Sequence, residues 1–289
     1  MKKIIVLGNG QLGNYIYNNL LKEVSCPENY SIEVIDYPDF DIIDEDHVKK
    51  VVDNYDIIIN AAAYTNVDKA ESDSLNCMMI NSSGPISIAG KVLLYPDKKF
   101  VHISSEVVYG SNDPEYKKLN ELSPKNPVNV YSKSKKSADD YIEGLMKLTH
   151  NLLILRSGWL FGPNNNHNFI EKIRKLLSEK QEINVVNDQI GTLTYVDLIL
   201  KSIISFIEGE LPSDVYNIGN EGYPSRYEVA CFVKQCMGYN CEINECDSSG
   251  FKRVAEVAKN SCLDCSKIDS YIKFKRPNWK IDVEKVLLK

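Results

Sequence analysis

Residues 3–13 read KIIVLGNGQLG. A short apolar run with two isoleucines and a valine breaks into glycine. Apolar residues then resume as Leu12, Ile16, Leu20 and Leu21. The first run, rich in β-branched residues, reads as a strand buried on both faces. The second spacing reads as the apolar face of a helix. Between them Gly8, Gly10 and Gly13 form G-x-G-x-x-G, in the strand–turn–helix setting that a dinucleotide fingerprint requires. Gly8 permits the tight turn, Gly10 lets a pyrophosphate approach the backbone, and Gly13 lets the helix pack on the strand. The helix N-terminus adds free N–H groups and the positive end of a dipole.

A second strand, SIEVID at 31–36, ends in Asp36, 23 residues past Gly13. A carboxylate there suits the adenosine ribose hydroxyls and repels a 2′-phosphate, so between NADH and NADPH the sequence leans to NADH. The plainer alternative is a strand-end turn, since Tyr37 and Pro38 follow at once. Further strands are expected at 56–62, 99–105 and 152–158, with helices at 45–54, over most of 72–95 and at 132–149. Such alternation predicts an α/β fold with a doubly wound parallel sheet, Rossmann-like. Helices at 168–180, 194–209 and 225–237 and a strand at 216–220 follow, and then mixed signals. With no linker between the halves, a smaller C-terminal α/β substrate lobe grown from the sheet is expected. The division runs 1–163 with about 187–221 for the dinucleotide domain, and about 164–186 with 222–289 for the lobe.

The 289 residues carry a net charge of −6, with 43% hydrophobic and 26% charged. That is an ordinary globular composition, with no electrostatic reason to expect nucleic acid or an anionic membrane as partner. The apolar run Ile4–Leu7 is too short for a signal peptide, and no run approaches membrane-spanning length. A cytoplasmic protein is expected. Four of the eight cysteines recur every fifth residue (Cys231, Cys236, Cys241, Cys246), and Cys262 and Cys265 form one C-x-x-C. A zinc site needs a second close ligand pair, and the four histidines lie far away in sequence. No metal is predicted, and reduced thiols are the default.

At 129–135 the chain reads NVYSKSK. Tyr131 and Lys135 stand four residues apart at the start of a helix and so share a face. A cation beside a phenol lowers its pKa, which suits a tyrosine for proton transfer. A solvated helix edge is the plainer alternative.

Together with GQLG at 10–13, NAAAYTNVDKAES at 60–72, INSSGP at 80–85, SSEVVYG at 104–110, RSGWLFG at 156–162, NNNHNF at 164–169 and NDQIGTLT at 187–194, these stretches resemble the extended short-chain dehydrogenase/reductase superfamily. Within it they resemble the dTDP-4-dehydrorhamnose reductase family. The resemblance implies hydride transfer from NADH or NADPH to the ketone of a nucleotide-linked sugar. It implies Tyr131 as general acid, Lys135 as its tuning cation and a hold on the nicotinamide ribose, and Ser105 as hydrogen-bond donor to the ketone oxygen. For the cofactor it implies the loop with Gln11 and Leu12, the adenine-contacting Asp41 and Ile42, and the strand end Asn60, Ala61, Ala62 and Ala63. For the substrate it implies Thr65, Val67, Asp68, Glu106, Trp159, Asn168, Asp188 and Gln189. The last three serve equally as helix caps or turn residues, and Trp159 as core.

The chain departs from the family where Ser104-Ser105-Glu106-Val107 replaces the usual Ser-Thr-Asp-Tyr, at Leu193, and at Val257-Ala258. These departures leave the sugar and the nucleotide open. Two other functions compete: an epimerase or dehydratase, with Glu106 as acid/base, and a non-catalytic cofactor-binding regulatory subunit. Assembly as a two-fold homodimer is the base-rate expectation.

Overall fold

Six parallel strands carry the molecule. A computed structural model describes residues 1–113, 115–163, 168–251 and 253–288. The Asn-rich residues 164–167, which carried part of the family resemblance, lie outside the described residues. The first part alternates through β1 (Lys2–Leu7), α1 (Gln11–Glu23), β2 (Tyr30–Ile35), α2 (Glu45–Asn54) and β3 (Ile57–Asn60). Short α3 (Val67–Ala70) and α4 (Ser74–Met78) run through a π-helical turn at Met79–Ser83 into α5 (Gly84–Val92). Then come β4 (Lys99–Ser105), α6 (Val130–Met146) and β5 (Leu152–Ser157).

The second part is finer-grained. It runs through β6 (Trp159–Phe161), α7 (Phe169–Glu179), β7 (Glu182–Val186), β8 (Ile190–Gly191), β9 (Leu193–Tyr195), α8 (Val196–Ile207) and β10 (Val215–Ile218). It closes with α9 (Arg226–Met237), β11 (Glu242–Cys246), β12 (Asn260–Ser261), α10 (Ser266–Asp269) and α11 (Trp279–Leu287).

The main sheet has the order β10-β5-β4-β3-β1-β2, and every pairing is parallel. Alternate residues of β1 go to opposite faces. Ile4 and Val6 join a core with Ile16 and Leu20 of α1 and Ile199 and Ile203 of α8. Ile5 and Leu7 join the other, with Val48 and Val51 of α2, Ile88 of α5 and Ala138 and Ile142 of α6. A sheet covered on both faces needs continuous apolar strands, which is why the run at 3–7 reads as it does. The chain leaves β1 for β2 on one side and returns for β3 on the other. That reversal opens a crevice at the strands' C-terminal ends, where ligands of such sheets bind.

Away from this sheet the strands pair only in twos: β7 with β11, β8 with β12, β6 with β9. Only β11, β12, α10 and α11 fall in the C-terminal stretch of mixed signals; β6, β7 and β8 carry no sequence signal, and β9 takes the first residues of the helix expected at 194–209, because strands of two to five residues are too short for a period to register. The eight cysteines form no disulfide. Burial pushes Cys262 up to about 11 and Cys265 up to about 12, so both are inert neutral thiols. Among the described residues no three His, Cys, Asp or Glu side chains gather as a metal site would need. No described helix is long and apolar enough to cross a membrane.

Candidate active site

A cleft of about 1020 Å³ opens at the β1/β3 reversal. Gly8, Gly10, Gln11 and Leu12 of the glycine loop line it, with Asp36, Asp41, Ile42 and Ala61–Ala63. Gly8 has φ +91°, and a Cβ there would stand 2.7 Å from Ala62 Cα. A Cβ on Gly13 would stand 1.8 Å from Gly8 O. Gly13 itself packs the helix against the loop and does not line the cleft. At Gly10 the Cβ position is open, so the bare backbone faces free space above the start of α1, as a pyrophosphate requires. The loop therefore fits a dinucleotide.

Asp36 is spent partly on the protein. Its carboxylate accepts from Asn9 N at 2.8 Å and Tyr37 N at 2.9 Å, so it tethers the glycine loop and also makes the strand-end turn. Asn60 is buried outside the cleft. Its Oδ1 accepts from Ala62 N and its Nδ2 lies 3.3 Å from His102 Nδ1, which fixes the strand end from behind.

Tyr131 and Lys135 both open into the cleft. The helix starts two residues before the sequence suggests, because Asn129 and Ser132 form a capping box. Tyr131 thus sits in the first turn of α6 and Lys135 one turn on. Lys135 Nζ donates to Ile103 O at 3.0 Å, and burial pushes it down to about 8. The tuning expected from the Tyr–Lys spacing does not appear. Burial first, then the Glu106 carboxylate and Cys77, hold the Tyr131 phenol above its ordinary value. Spacing on a helix sets a shared face, but burial and a nearby carboxylate set the phenol, and the ammonium is engaged by Ile103 O. A phenol held up stays protonated at neutral pH, which is the form a proton donor needs.

Ser105 ends β4, and its hydroxyl donates to Glu106 Oε2 at 2.5 Å. Glu106 is only 6% exposed, and burial pushes its carboxyl up. Ser105 has one proton, so it can donate to a ligand only when Glu106 carries a proton or releases it.

Thr65, Val67, Asp68 and Asn168 line the cleft. Asn168 also caps α7, accepting from Glu171 N at 3.0 Å. Three expected substrate positions fall outside it. Trp159 has its ring face covered by the Arg226 guanidinium, 3.4 Å from the ring centroid. Gln189 offers its carbonyl to Arg226 N at 3.2 Å. Asp188 binds Ser248 N, Ser248 Oγ and Lys259 Nζ at 2.9, 2.6 and 2.9 Å. Trp159 and Asp188 are thus engaged by the second part of the fold through their side chains, and Gln189 through its backbone. Conversely, Lys172 and Arg253 line the cleft without any sequence signal. Both sit far from the motifs, and only folding brings them there.

The family described as the RmlD substrate binding domain matches residues 1–289. The chain belongs to that family. The resemblance read from NAAAYTNVDKAE and NDQIG is borne out. A dTDP-4-dehydrorhamnose reductase of Aggregatibacter actinomycetemcomitans is 28% identical over 97% of this chain and 96% of its own. A spore coat polysaccharide biosynthesis protein of Bacillus subtilis is 30% identical over 84% of this chain and 82% of its own. A solved dTDP-4-dehydrorhamnose reductase of Bacillus anthracis, described in complex with NADP, superposes with a TM-score of 0.88 at 30% identity, covering 99% of each chain. The doubly wound Rossmann-like fold expected from the alternation is thereby confirmed. The lean toward NADH finds no support in this relative.

Proposed function

We propose that the protein reduces the keto group of a 4-keto-6-deoxysugar nucleotide, of the dTDP-4-dehydrorhamnose kind, with NADPH. The observation that carries this reading is the cleft itself: Tyr131 and Lys135, on one face of α6, open into the same space as the glycine loop. Gly8, Gly10 and the start of α1 would hold the cofactor, which would supply the hydride for the ketone carbon. Tyr131 holds the proton that the ketone oxygen takes up. Lys135, fixed by Ile103 O, presents its ammonium beside it. Ser105, once Glu106 is protonated, turns its hydroxyl toward the gathering charge on that oxygen.

NADPH replaces NADH in this reading because a relative at 30% identity is described with NADP. In our division, residues 1–163 and about 187–221 hold the cofactor, and about 164–186 with 222–289 hold the sugar nucleotide. The inclusion of β10 in the main sheet supports that boundary.

The test is loss of reduced-nicotinamide absorbance with NADPH or NADH and a panel of 4-keto-6-deoxy nucleotide sugars. A steady, substrate-dependent fall is expected, faster with NADPH. An epimerase or dehydratase returns its hydride and would leave the absorbance flat, as would a regulatory subunit, and that outcome overturns the reading.

A further inference from the structure

Residues 253–259 cross from the second part of the fold to the first and are held at three places. Arg253 Nη2 donates to Asp68 Oδ2 at 3.0 Å and Ala255 N to Asp68 Oδ1 at 3.1 Å. Glu256 O accepts from Asn129 Nδ2 at 2.7 Å. Lys259 N donates to Asn112 Oδ1 at 3.0 Å, and its ammonium pairs with Asp188. Along it Arg253, Val254, Glu256 and Lys259 are exposed, Val257 and Ala258 are half-buried, and only Ala255, at 2% exposed, is fully buried. Little apolar burial holds it, so polar ties must. It brings Arg253 to the cleft beside Val67 and Asp68.

The middle tie is unusual in its chemistry. Asn129 is 7% exposed, and its two amide atoms do different jobs. Oδ1 accepts from Ser132 N at 2.8 Å and so caps the helix that carries Tyr131. Nδ2 reaches the other way, to the strap. A cap alone needs only an oxygen, which Asp or Ser supplies about equally well. The amide nitrogen has no part in capping, and its one bond spans 127 residues.

We propose that Asn129 is a positioning residue that straps residues 253–259 across the mouth of the cleft, holding Arg253 where the charged end of a nucleotide sugar enters. The kinetic part of this rests on the reductase reading; the structural part does not. Because cap and tether are separate atoms, they can be separated by substitution. Asn129→Ser keeps the cap and is too short to reach Glu256. Asn129→Asp keeps the cap and sets an acceptor against an acceptor.

The experiment has two readouts on the full chain. The first is steady-state kinetics with NADPH and the best substrate of the panel. Both variants should raise KM for the nucleotide sugar about tenfold, the usual worth of one buried hydrogen bond, with kcat within about twofold and the melting temperature lower by no more than about 2–4 °C per kcal/mol lost. The second is limited trypsin digestion without substrate, followed by mass spectrometry. Cleavage after Arg253 should quicken severalfold in both variants. A fall in kcat at constant KM would mean that Asn129 acts only through α6, and would overturn the proposal. So would unchanged digestion after Arg253. If the wild-type chain reduces no nucleotide sugar, the reductase reading fails while digestion still decides whether the strap exists.

Discussion

The two walls of the cleft are built from different materials. One wall is backbone: the glycine loop, the ends of β3 and β4 and the first turn of α6, all set by a six-stranded ladder with cores on both faces. The other is side chains. There, strands of two to five residues pair only in twos, and single carboxylates and amides bind distant loops. Asp68 binds Arg253 and Ala255 N at that wall, and behind it Asp188 joins Ser248 to Lys259. The first wall gains rigidity from many equivalent hydrogen bonds. The second depends on a few, each of which can be removed by one substitution.

The largest expected effect lies on the first wall. Tyr131→Phe keeps the ring and removes the proton, and should lower kcat by roughly 10²–10⁴-fold with cofactor binding intact. Cofactor binding is checked by fluorescence titration with NADPH. Normal turnover would move the proton source to another group in the cleft, with Glu106 the next to test.

The seam between the walls comes second. Arg156 is fully buried, donating to Asp139 Oδ2 at 2.8 Å and Tyr109 Oη at 3.0 Å and pairing with Glu143. Tyr109 donates onward to Asn217 Oδ1 at 2.8 Å. Arg156→Met strands a buried carboxylate and should cost about 3–5 kcal/mol in urea unfolding. A loss below about 1 kcal/mol would show that the seam tolerates an apolar filler.

Gly8→Ala tests the backbone wall directly. Its φ of +91° and the contact with Ala62 leave no room for a methyl. Strain of about 1–3 kcal/mol is expected, together with weaker NADPH binding by isothermal titration calorimetry. Wild-type affinity in this variant would mean that the loop is not the pyrophosphate cradle.

The smallest effect concerns the second wall. The Arg253 guanidinium, then the Ala255 N–H, hold the Asp68 carboxyl below its ordinary 3.8. A depressed carboxylate contributes stability that is fully present above 3.8 and lost only as pH falls through the lower folded value. The strap should therefore be indifferent to pH across the neutral range. A carbon-13 titration of Asp68 should give a midpoint under 3.8; one at or above it would mean that Arg253 is not paired in solution.

What could be read without the fold was whatever local spacing encodes. KIIVL before G-x-G-x-x-G fixes strand, turn and helix because period and steric demand are properties of neighbouring residues. The four-residue interval from Tyr131 to Lys135 fixes a shared face for the same reason. What that face does electrostatically was not legible. The phenol rises because of burial first and Glu106 second, and neither is a local property. Trp159 follows a buried strand in the expected place, yet its ring serves Arg226 from a helix 67 residues on. Arg253 reaches the cleft through Asp68, 185 residues away in the chain. The sequence by itself determined the doubly wound sheet, the loop and the shared face of Tyr131 and Lys135, since each is written in contiguous residues. Only the tertiary structure decided which polar groups meet across the cleft, because hydrogen bonds between distant segments leave no period in the chain.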